Sequence, residues 1–203
     1  MKRTGGGWSK GTVVGKKRPF TKDQVQLIRL ALSARGDVTG LAMFETGIST
    51  MLRFSDFSRL KVSDVVSYDG TIVPDFEIGQ KKTGGSRVKC SLSGSAMAAL
   101  KAHIATLPIS TDSDGLLWSH KCRPLKYKRY REIVRGWARL AHADPDVYGT
   151  HSMRRTIPAH IYRETRDIEA ARQLLGHSSV ASTSSYLDVS RDEAIAVKRR
   201  YEI

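Results

Sequence analysis

The sequence HSMRRTIPAHIYRETRDIEAARQLLGHSSVASTSSY, which spans residues 151–186, decides how the whole chain is interpreted. It contains His151, Arg154, His177 and Tyr186, a set of side chains suited to binding and attacking a phosphate diester. Arg154 follows His151 by three positions, so on a helix both side chains share one face. Beyond a glycine, a Ser-rich turn is expected to bring the chain back towards this pair and to present Tyr186. We therefore expect phosphodiester chemistry at this stretch.

The charge of the chain indicates a polyanionic partner. Among its 203 residues, 34 are Lys or Arg and 20 are Asp or Glu, which gives a net charge of +14 and a pI near 10.0. This excess favours nucleic acid first and an anionic membrane surface second, and the alternative is a solvated basic surface without a partner.

No apolar run approaches the ~20 residues of a membrane span, and the basic N-terminus lacks the apolar core of a secretory signal. We expect a cytoplasmic, nucleoid-associated protein without membrane contact.

Composition along the chain predicts one domain preceded by an arm. Residues 1–19 are Gly-rich and basic without a hydrophobic period, so they are predicted to be a flexible arm or linker. Residues 20–203 contain no internal repeat and are predicted to form a single domain. Cys90 and Cys122 lie far apart and outside any CxxC pair, which favours a reduced protein without structural zinc.

Hydrophobic periodicity predicts an α+β fold that is mainly helical. Thr21 and Gln24 have the spacing of a capping box at the first helix, and an apolar helix ending near Gly47 follows. Between residues 62 and 92 the pattern becomes extended, with turn residues between β-branched runs, which predicts a small antiparallel sheet. A hairpin of this sheet is expected to carry Lys81 and Lys82.

Helical periodicity returns in the second half of the chain. Thr150 is expected to cap the helix that carries His151 and Arg154, and Pro158 to kink that helix or to open a turn. Asp167 is predicted to start the next helix and Gly176 to end it. A last helix with a basic tip is predicted over residues 191–202.

The helix predicted after Pro124 has a strongly basic face. Apolar residues recur at helical spacing from Tyr130 to Ala141, which defines its buried side. The other positions hold Lys126, Lys128, Arg129, Arg131, Arg135 and Arg139. Cations on one helix repel one another unless a partner neutralises them, so we predict that this face contacts DNA rather than solvent alone.

The residues also limit the chemistry. No DxD, HExxH or His/Cys cluster with metal-ligand spacing is present, so we expect no metal ion and no cofactor. Guanidinium and imidazole donors must then stabilise the charge on a pentavalent phosphate. A tyrosine nucleophile, with an ordinary pKa of about 10, needs a neighbouring base or a cationic field, and the leaving 5′-oxygen needs a proton that a lysine can donate.

Taken together, these segments resemble the catalytic domain of the tyrosine recombinases, the phage-integrase and Xer-type family. The family pattern is matched in order by Arg53 with Asp56, the Lys-Thr-Gly at Lys82, His151 with Arg154, the Leu-Gly-His that ends at His177, and Tyr186 nine residues later. Each motif alone is weak, but five in the right order are specific. The chain departs from the pattern at Gly47, which stands six residues before Arg53, and at Arg155, where a histidine is common.

The resemblance implies a role for each matched residue. Tyr186 would be the nucleophile that forms a 3′-phosphotyrosyl bond. Arg53 and Arg154 would bind the non-bridging phosphate oxygens, with Asp56 orienting Arg53.

The remaining roles concern proton transfer. Lys82 would protonate the leaving 5′-oxygen, with the adjacent Lys81 as the alternative. His151 would act as general base or proton shuttle for the nucleophile, and His177 would hydrogen-bond the phosphate.

The function implied by the resemblance is site-specific DNA recombination through a Holliday junction, without metal or ATP. The expected partners are double-stranded DNA sites, further copies of the chain in a tetramer on synapsed DNA, and a partner recombinase or accessory protein, whereas the free protein is expected to be a monomer. A type IB topoisomerase-like enzyme and a non-catalytic DNA-binding relative are the alternatives. Most family members carry an N-terminal DNA-clamping domain, so the chain is expected to be either a catalytic fragment or a short single-domain member, such as the fimbrial-switch invertases.

Overall fold

The computed structural model describes residues 16–81, 87–107, 115–118 and 125–187, together with Ile195 and Arg199. The helices are α1 (Lys22–Ala34), α2 (Val38–Thr50), α3 (Phe54–Phe57), α4 (Val62–Val65), α5 (Gly94–Ile104), α6 (Tyr127–Leu140), α7 (Thr150–Thr165), α8 (Ile168–Leu175) and α9 (Val180–Leu187). The strands are β1 (Asp75–Gly79) and β2 (Arg87–Ser91), and a short 3-10 helix, Pro145–Val147, lies between α6 and α7. The prediction of a mainly helical α+β fold with a small antiparallel sheet is confirmed.

Local side-chain chemistry sets several helix ends where the sequence predicts them. Thr21 accepts a hydrogen bond from the Gln24 amide, and the Gln24 side chain accepts one from the Thr21 amide, which completes the capping box. Asp167 accepts from the Ala170 amide at the start of α8, and Gly176 ends α8 with a φ of 60°. These ends were predictable because each depends on residues within one helical turn.

The prediction that the second helix ends near Gly47 is wrong. Helix α2 continues to Thr50 and ends at Met51, whose φ is 51°. Gly47 lies inside the helix, where an added Cβ would stand 2.9 Å from the Tyr130 hydroxyl and 3.2 Å from the Met153 methyl. The glycine therefore allows close packing between helices rather than a helix end.

The region from residue 62 to 92 is less extended than predicted. Residues 62–65 form α4, and the predicted Asp-Gly turn closes only an isolated bridge between Val66 and Ile72. The regular ladder is β1 with β2, which pairs Asp75 with Ser91 at one end and Gly79 with Arg87 at the other. The connecting residues 82–86, and with them Lys82, lie outside the described residues.

The C-terminal half differs from prediction in three details. Gly149 is the N-cap of α7, and Thr150 is its first residue rather than its cap. The helix continues through Pro158 to Thr165, so no turn opens at the proline, and the Ser-rich segment expected as a turn is mostly the helix α9. The predicted last helix lies outside the described part of the chain except at two positions, so it stays a prediction.

An aromatic core joins α2, α3 and α6. Phe44 of α2 packs edge-to-face on Trp137 of α6, with ring centroids 5.2 Å apart. Phe57 of α3 stacks on Tyr130 of α6 at 5.0 Å, and both rings are buried. Such packing fixes the relative positions of α2, α3 and α6. Among the helices that the structure describes, none is both long and apolar enough to cross a membrane.

Candidate active site

Arg154 is buried where three helices meet. Its Nη1 donates to the Met51 carbonyl at 2.5 Å, and its Nη2 donates to the Leu175 carbonyl. These carbonyls lie at the C-terminal ends of α2 and α8, where the backbone carries partial negative charge. Burial lowers the pKa of Arg154 to about 10, so the guanidinium stays protonated at neutral pH. The fold therefore holds a fixed cation at this junction.

Arg53 and His151 line the same cavity as Arg154. This cavity has a volume of about 230 Å³ and is bordered by the N-terminal ends of α3 and α7. Arg53 precedes α3 and donates from Nη1 to the Gln80 side chain at 2.6 Å. His151 is exposed at the start of α7. Two guanidinium groups around one small cavity are suited to bind the oxygens of a phosphate.

Asp56 does not form the pairing with Arg53 that the resemblance led us to expect. Its buried carboxylate instead accepts from Arg59 Nη2 at 3.1 Å and from the backbone amide of Lys81 at 3.0 Å. Arg59 follows Asp56 by three positions, so its side chain lies on the same side of this short helical segment and pairs with the carboxylate in place of Arg53. Asp56 thus fixes the start of the lysine hairpin, and Gln80 takes the position beside Arg53.

Tyr186 projects from α9 into a shell of imidazole and guanidinium groups. The His177 ring lies perpendicular to it at a centroid distance of 5.3 Å, and the His151 ring lies at 6.5 Å. Arg155 places its Cζ 5.0 Å from the centre of the tyrosine ring. The four side chains converge although they come from segments up to 35 positions apart in the sequence.

The Tyr186 hydroxyl is buried and has no hydrogen-bond partner in the described part of the chain. Burial raises its pKa to about 12, while the nearby cations Arg154, Arg155 and Arg53 act in the opposite direction. Arg154 lies close to the hydroxyl without reaching good hydrogen-bond geometry. The phenol is therefore neutral at neutral pH, with several positively charged groups close to it.

His177 is held in its neutral form. Burial, followed by repulsion from Arg154 and Arg53, lowers its pKa to about 4. Its Nδ1 lies 3.2 Å from the Thr183 hydroxyl, and Arg172 donates to its carbonyl at 2.6 Å. These contacts orient a neutral imidazole towards the tyrosine ring.

Only one of the two lysines that could protonate the leaving oxygen lies in the described part of the chain. Lys81 is exposed and contributes its backbone amide to Asp56. Lys82 lies outside the described residues, so the assignment between the two stays open.

The basic face of α6 is largely available to solvent. Five of its six cations are exposed: Lys126, Lys128, Arg129, Arg131 and Arg139. Arg135 differs, because it is partly buried and forms ion pairs with Glu132, at 3.1 Å, and with Asp146. Its charge is already partly neutralised within the protein.

Sequence reasoning missed several residues that contact the site. Thr183 precedes Tyr186 by three positions on α9, a spacing that could have been recognised. Gln80 and Arg155 gave no comparable local signal for their contacts with Arg53 and Tyr186.

Lys16, at the end of the predicted arm, was also missed. Its Nζ donates to the Ser185 carbonyl at 2.6 Å, and the next lysine, Lys17, donates to the Asp146 carbonyl at 2.6 Å. Residues 16–19 thus lie against α9 and the turn before α7, while residues 1–15 lie outside the described chain.

Comparison with known proteins assigns the chain to a family. Residues 18–193 match the model of the phage integrase family, which is most of the chain. The chain belongs to the phage integrase family. Its domain is 29% identical over 180 residues to the tyrosine recombinase XerC of Herpetosiphon aurantiacus, a match that covers 84% of this chain and 55% of that relative. The chain spans about half the length of the curated relatives it matches.

Solved structures show the same fold for this phage integrase family domain. The XerA recombinase superposes with a TM-score of 0.71 at 19% identity, covering 96% of this chain and 66% of the other. The XerH site-specific recombinase, bound to palindromic difH substrate in a post-cleavage complex, gives a TM-score of 0.68 at 16% identity, covering 93% and 55%. The resemblance to tyrosine recombinases predicted from the ordered motifs is confirmed.

Proposed function

We propose that this domain is the catalytic part of a site-specific DNA recombinase that cleaves and rejoins DNA through a 3′-phosphotyrosyl bond. One observation carries the proposal. Arg53, His151 and Arg154 line one cavity, and His151 also lines a second cavity that contains Tyr186. A phosphate bound by the two arginines would therefore lie beside the histidine that contacts the tyrosine ring.

The arrangement supports an in-line displacement at phosphorus. The Tyr186 oxygen attacks the scissile phosphate and gives up its proton to His151, while the bond to the 5′-oxygen breaks. Arg53 and Arg154 stabilise the charge on the non-bridging oxygens. A hairpin lysine, Lys82 by the family pattern, supplies the proton to the leaving 5′-oxygen. The new phosphotyrosyl ester keeps the energy of the broken bond, so a 5′-hydroxyl of another strand can reverse the attack without ATP.

Neutral His177 supports this assignment. A histidine that is uncharged at neutral pH can donate one hydrogen bond to a phosphate oxygen while its Nδ1 is held by Thr183. Its neutral state leaves the arginines as the source of positive charge. The raised pKa of Tyr186 means that the nucleophile needs a base, and the exposed His151 ring, whose centroid is 6.5 Å from that of Tyr186, supports His151 in that role.

The same proposal includes duplex DNA and further copies of the chain as partners. The exposed cations of α6 provide a basic surface for phosphates, and the structurally similar XerH recombinase has been solved with its DNA substrate. By the family resemblance, strand exchange would take place in a tetramer on two synapsed sites. Light scattering with and without a DNA that carries two sites measures this assembly. A protein that stays monomeric on such DNA would contradict the proposed tetramer.

A nicked suicide substrate tests the nucleophile. With wild-type protein we expect a protein–DNA adduct that resists denaturation, because the cleaved strand cannot be religated. Tyr186→Phe should form no adduct while binding the same duplex with an affinity within about threefold of wild type, since the ring is kept. Tyr162→Phe, in the last turn of α7, is the matched control and should form the adduct as wild type does. An adduct formed by the Tyr186→Phe protein would exclude this tyrosine as the nucleophile.

A further inference from the structure

Two consecutive arginines of α7 are both buried, and only one of them is explained by phosphate binding. Arg154 and Arg155 are 4% and 3% exposed. Consecutive residues on a helix project about 100° apart. Arg154 points to the helix ends at Met51 and Leu175, whereas Arg155 points to the helix that carries Tyr186.

We propose that Arg155 is a positioning residue for the nucleophile, which holds the Tyr186 ring by stacking its guanidinium on the ring face. This inference rests on the proposed role of Tyr186 as nucleophile. The guanidinium carbon lies 5.0 Å from the ring centre, within the range of a cation–π contact, and Arg155 is buried while the tyrosine ring is partly buried, which strengthens the contact relative to an exposed pair.

The other contacts of the tyrosine leave this task to Arg155. The hydroxyl has no well-aligned hydrogen-bond partner among the described residues, although Arg154 lies close to it. The His177 and His151 rings are steeply inclined to the tyrosine ring, at interplanar angles of 90° and 67°, so neither is stacked parallel to it. The Arg155 guanidinium lies over the ring, and Arg155 also lines the cavity of about 330 Å³ beside the ring.

The charge of Arg155 has a second consequence for the nucleophile. Several titratable or charged groups face the phenol: Lys16 and Lys17 from the N-terminal segment, Arg53 from the start of α3, His151, Arg154 and Arg155 from α7, and His177 from the turn before α9. Burial raises the pKa of Tyr186, and Arg155 is the second strongest of the groups that lower it, after Arg154. A permanent cation stacked on the ring stabilises the phenolate as it forms. A histidine here, which is common in the family, would supply such charge only when protonated.

The test compares Arg155→Met, which keeps length and apolar packing, with Arg155→Lys, which keeps the charge. Adduct formation on a nicked DNA substrate is measured from pH 6.5 to 9.5. For Arg155→Met we expect a rate about tenfold lower across this pH range, as a tenfold smaller phenolate fraction would give, because the raised pKa of the phenol lies above the range. Arg155→Lys should stay within about threefold of wild type. A Met variant that keeps the wild-type rate, or a loss that the Lys variant shares, would overturn the proposal.

A second measurement separates this proposal from the proposed function. In DNA-free protein labelled with 13C-tyrosine, the ring signal of Tyr186 is identified by its absence in Tyr186→Phe. We expect that signal to shift or broaden in Arg155→Met and to be largely kept in Arg155→Lys, while the signal of Tyr148, which stacks on Phe20 elsewhere, stays unchanged. If the Tyr186 signal does not respond, the stacking role is wrong whether or not the protein cleaves DNA. If the signal responds but wild type forms no adduct, the proposed function fails and the positioning contact stands.

Discussion

Replacing Gly47 by alanine tests how closely the helices around the candidate site are packed. The added methyl group would stand 2.9 Å from the Tyr130 hydroxyl and 3.2 Å from the Met153 methyl, which is closer than ordinary contact. Tyr130 is 2% exposed and stacks between Phe54 and Phe57, so it has little room to move. Overpacking of this kind costs about 1–3 kcal/mol.

Gly136→Ala is the matched control, because it makes the same change at a helical position with open space. A Cβ at Gly136 of α6 meets no atom within 4 Å. Both substitutions gain the higher helix propensity of alanine, worth about 1 kcal/mol, so the difference between them isolates the clash. At about 2–4 °C per kcal/mol for a domain of this size, Gly47→Ala should unfold about 2–12 °C below Gly136→Ala.

The clash should also reach the site. Helix α2 ends at Met51, whose carbonyl holds Arg154, so displacing α2 from α6 and α7 shifts that carbonyl. We expect slower adduct formation on nicked DNA in Gly47→Ala and an unchanged rate in Gly136→Ala. Thermal unfolding followed by circular dichroism gives the stability difference. Two variants that unfold within 1 °C of each other would refute the close packing inferred at Gly47.

Two other features give predictions of their own. Because burial holds the pKa of His177 at about 4 against 6.5 in an unfolded chain, the unfolded state binds the extra proton between these values, and stability should fall as the pH drops from 6.5 towards 4. His177→Gln should weaken that dependence in thermal unfolding at pH 7.5 and pH 5, and equal slopes for both proteins would contradict the assignment. In DNA binding, Arg131→Gln should lower the slope of log affinity against log salt by about 0.9, whereas Arg135→Gln should change it little because that guanidinium is paired within the protein. Filter binding between 50 and 300 mM salt measures both, and equal effects would show that the internal ion pairs of Arg135 open on DNA.

The sequence by itself determined the features that depend on neighbouring residues. The helix ends at Thr21 and Gly176 follow from contacts within one turn, and side-chain periodicity predicted the amphipathic α6. Motif order was enough to identify the family, because the spacing of His151, Arg154 and the later residues is itself local.

Only the tertiary structure decided which distant side chains meet. Gln80 rather than Asp56 bonds Arg53, because the carboxylate is already held by Arg59 and by the backbone of the hairpin. Likewise, the sequence marked Arg155 only as a departure from a family pattern, and the packing of α7 against α9 placed it on the ring of the proposed nucleophile. Helix periodicity gives the face on which a residue lies but not the element opposite that face, which is set by packing between segments far apart in the chain.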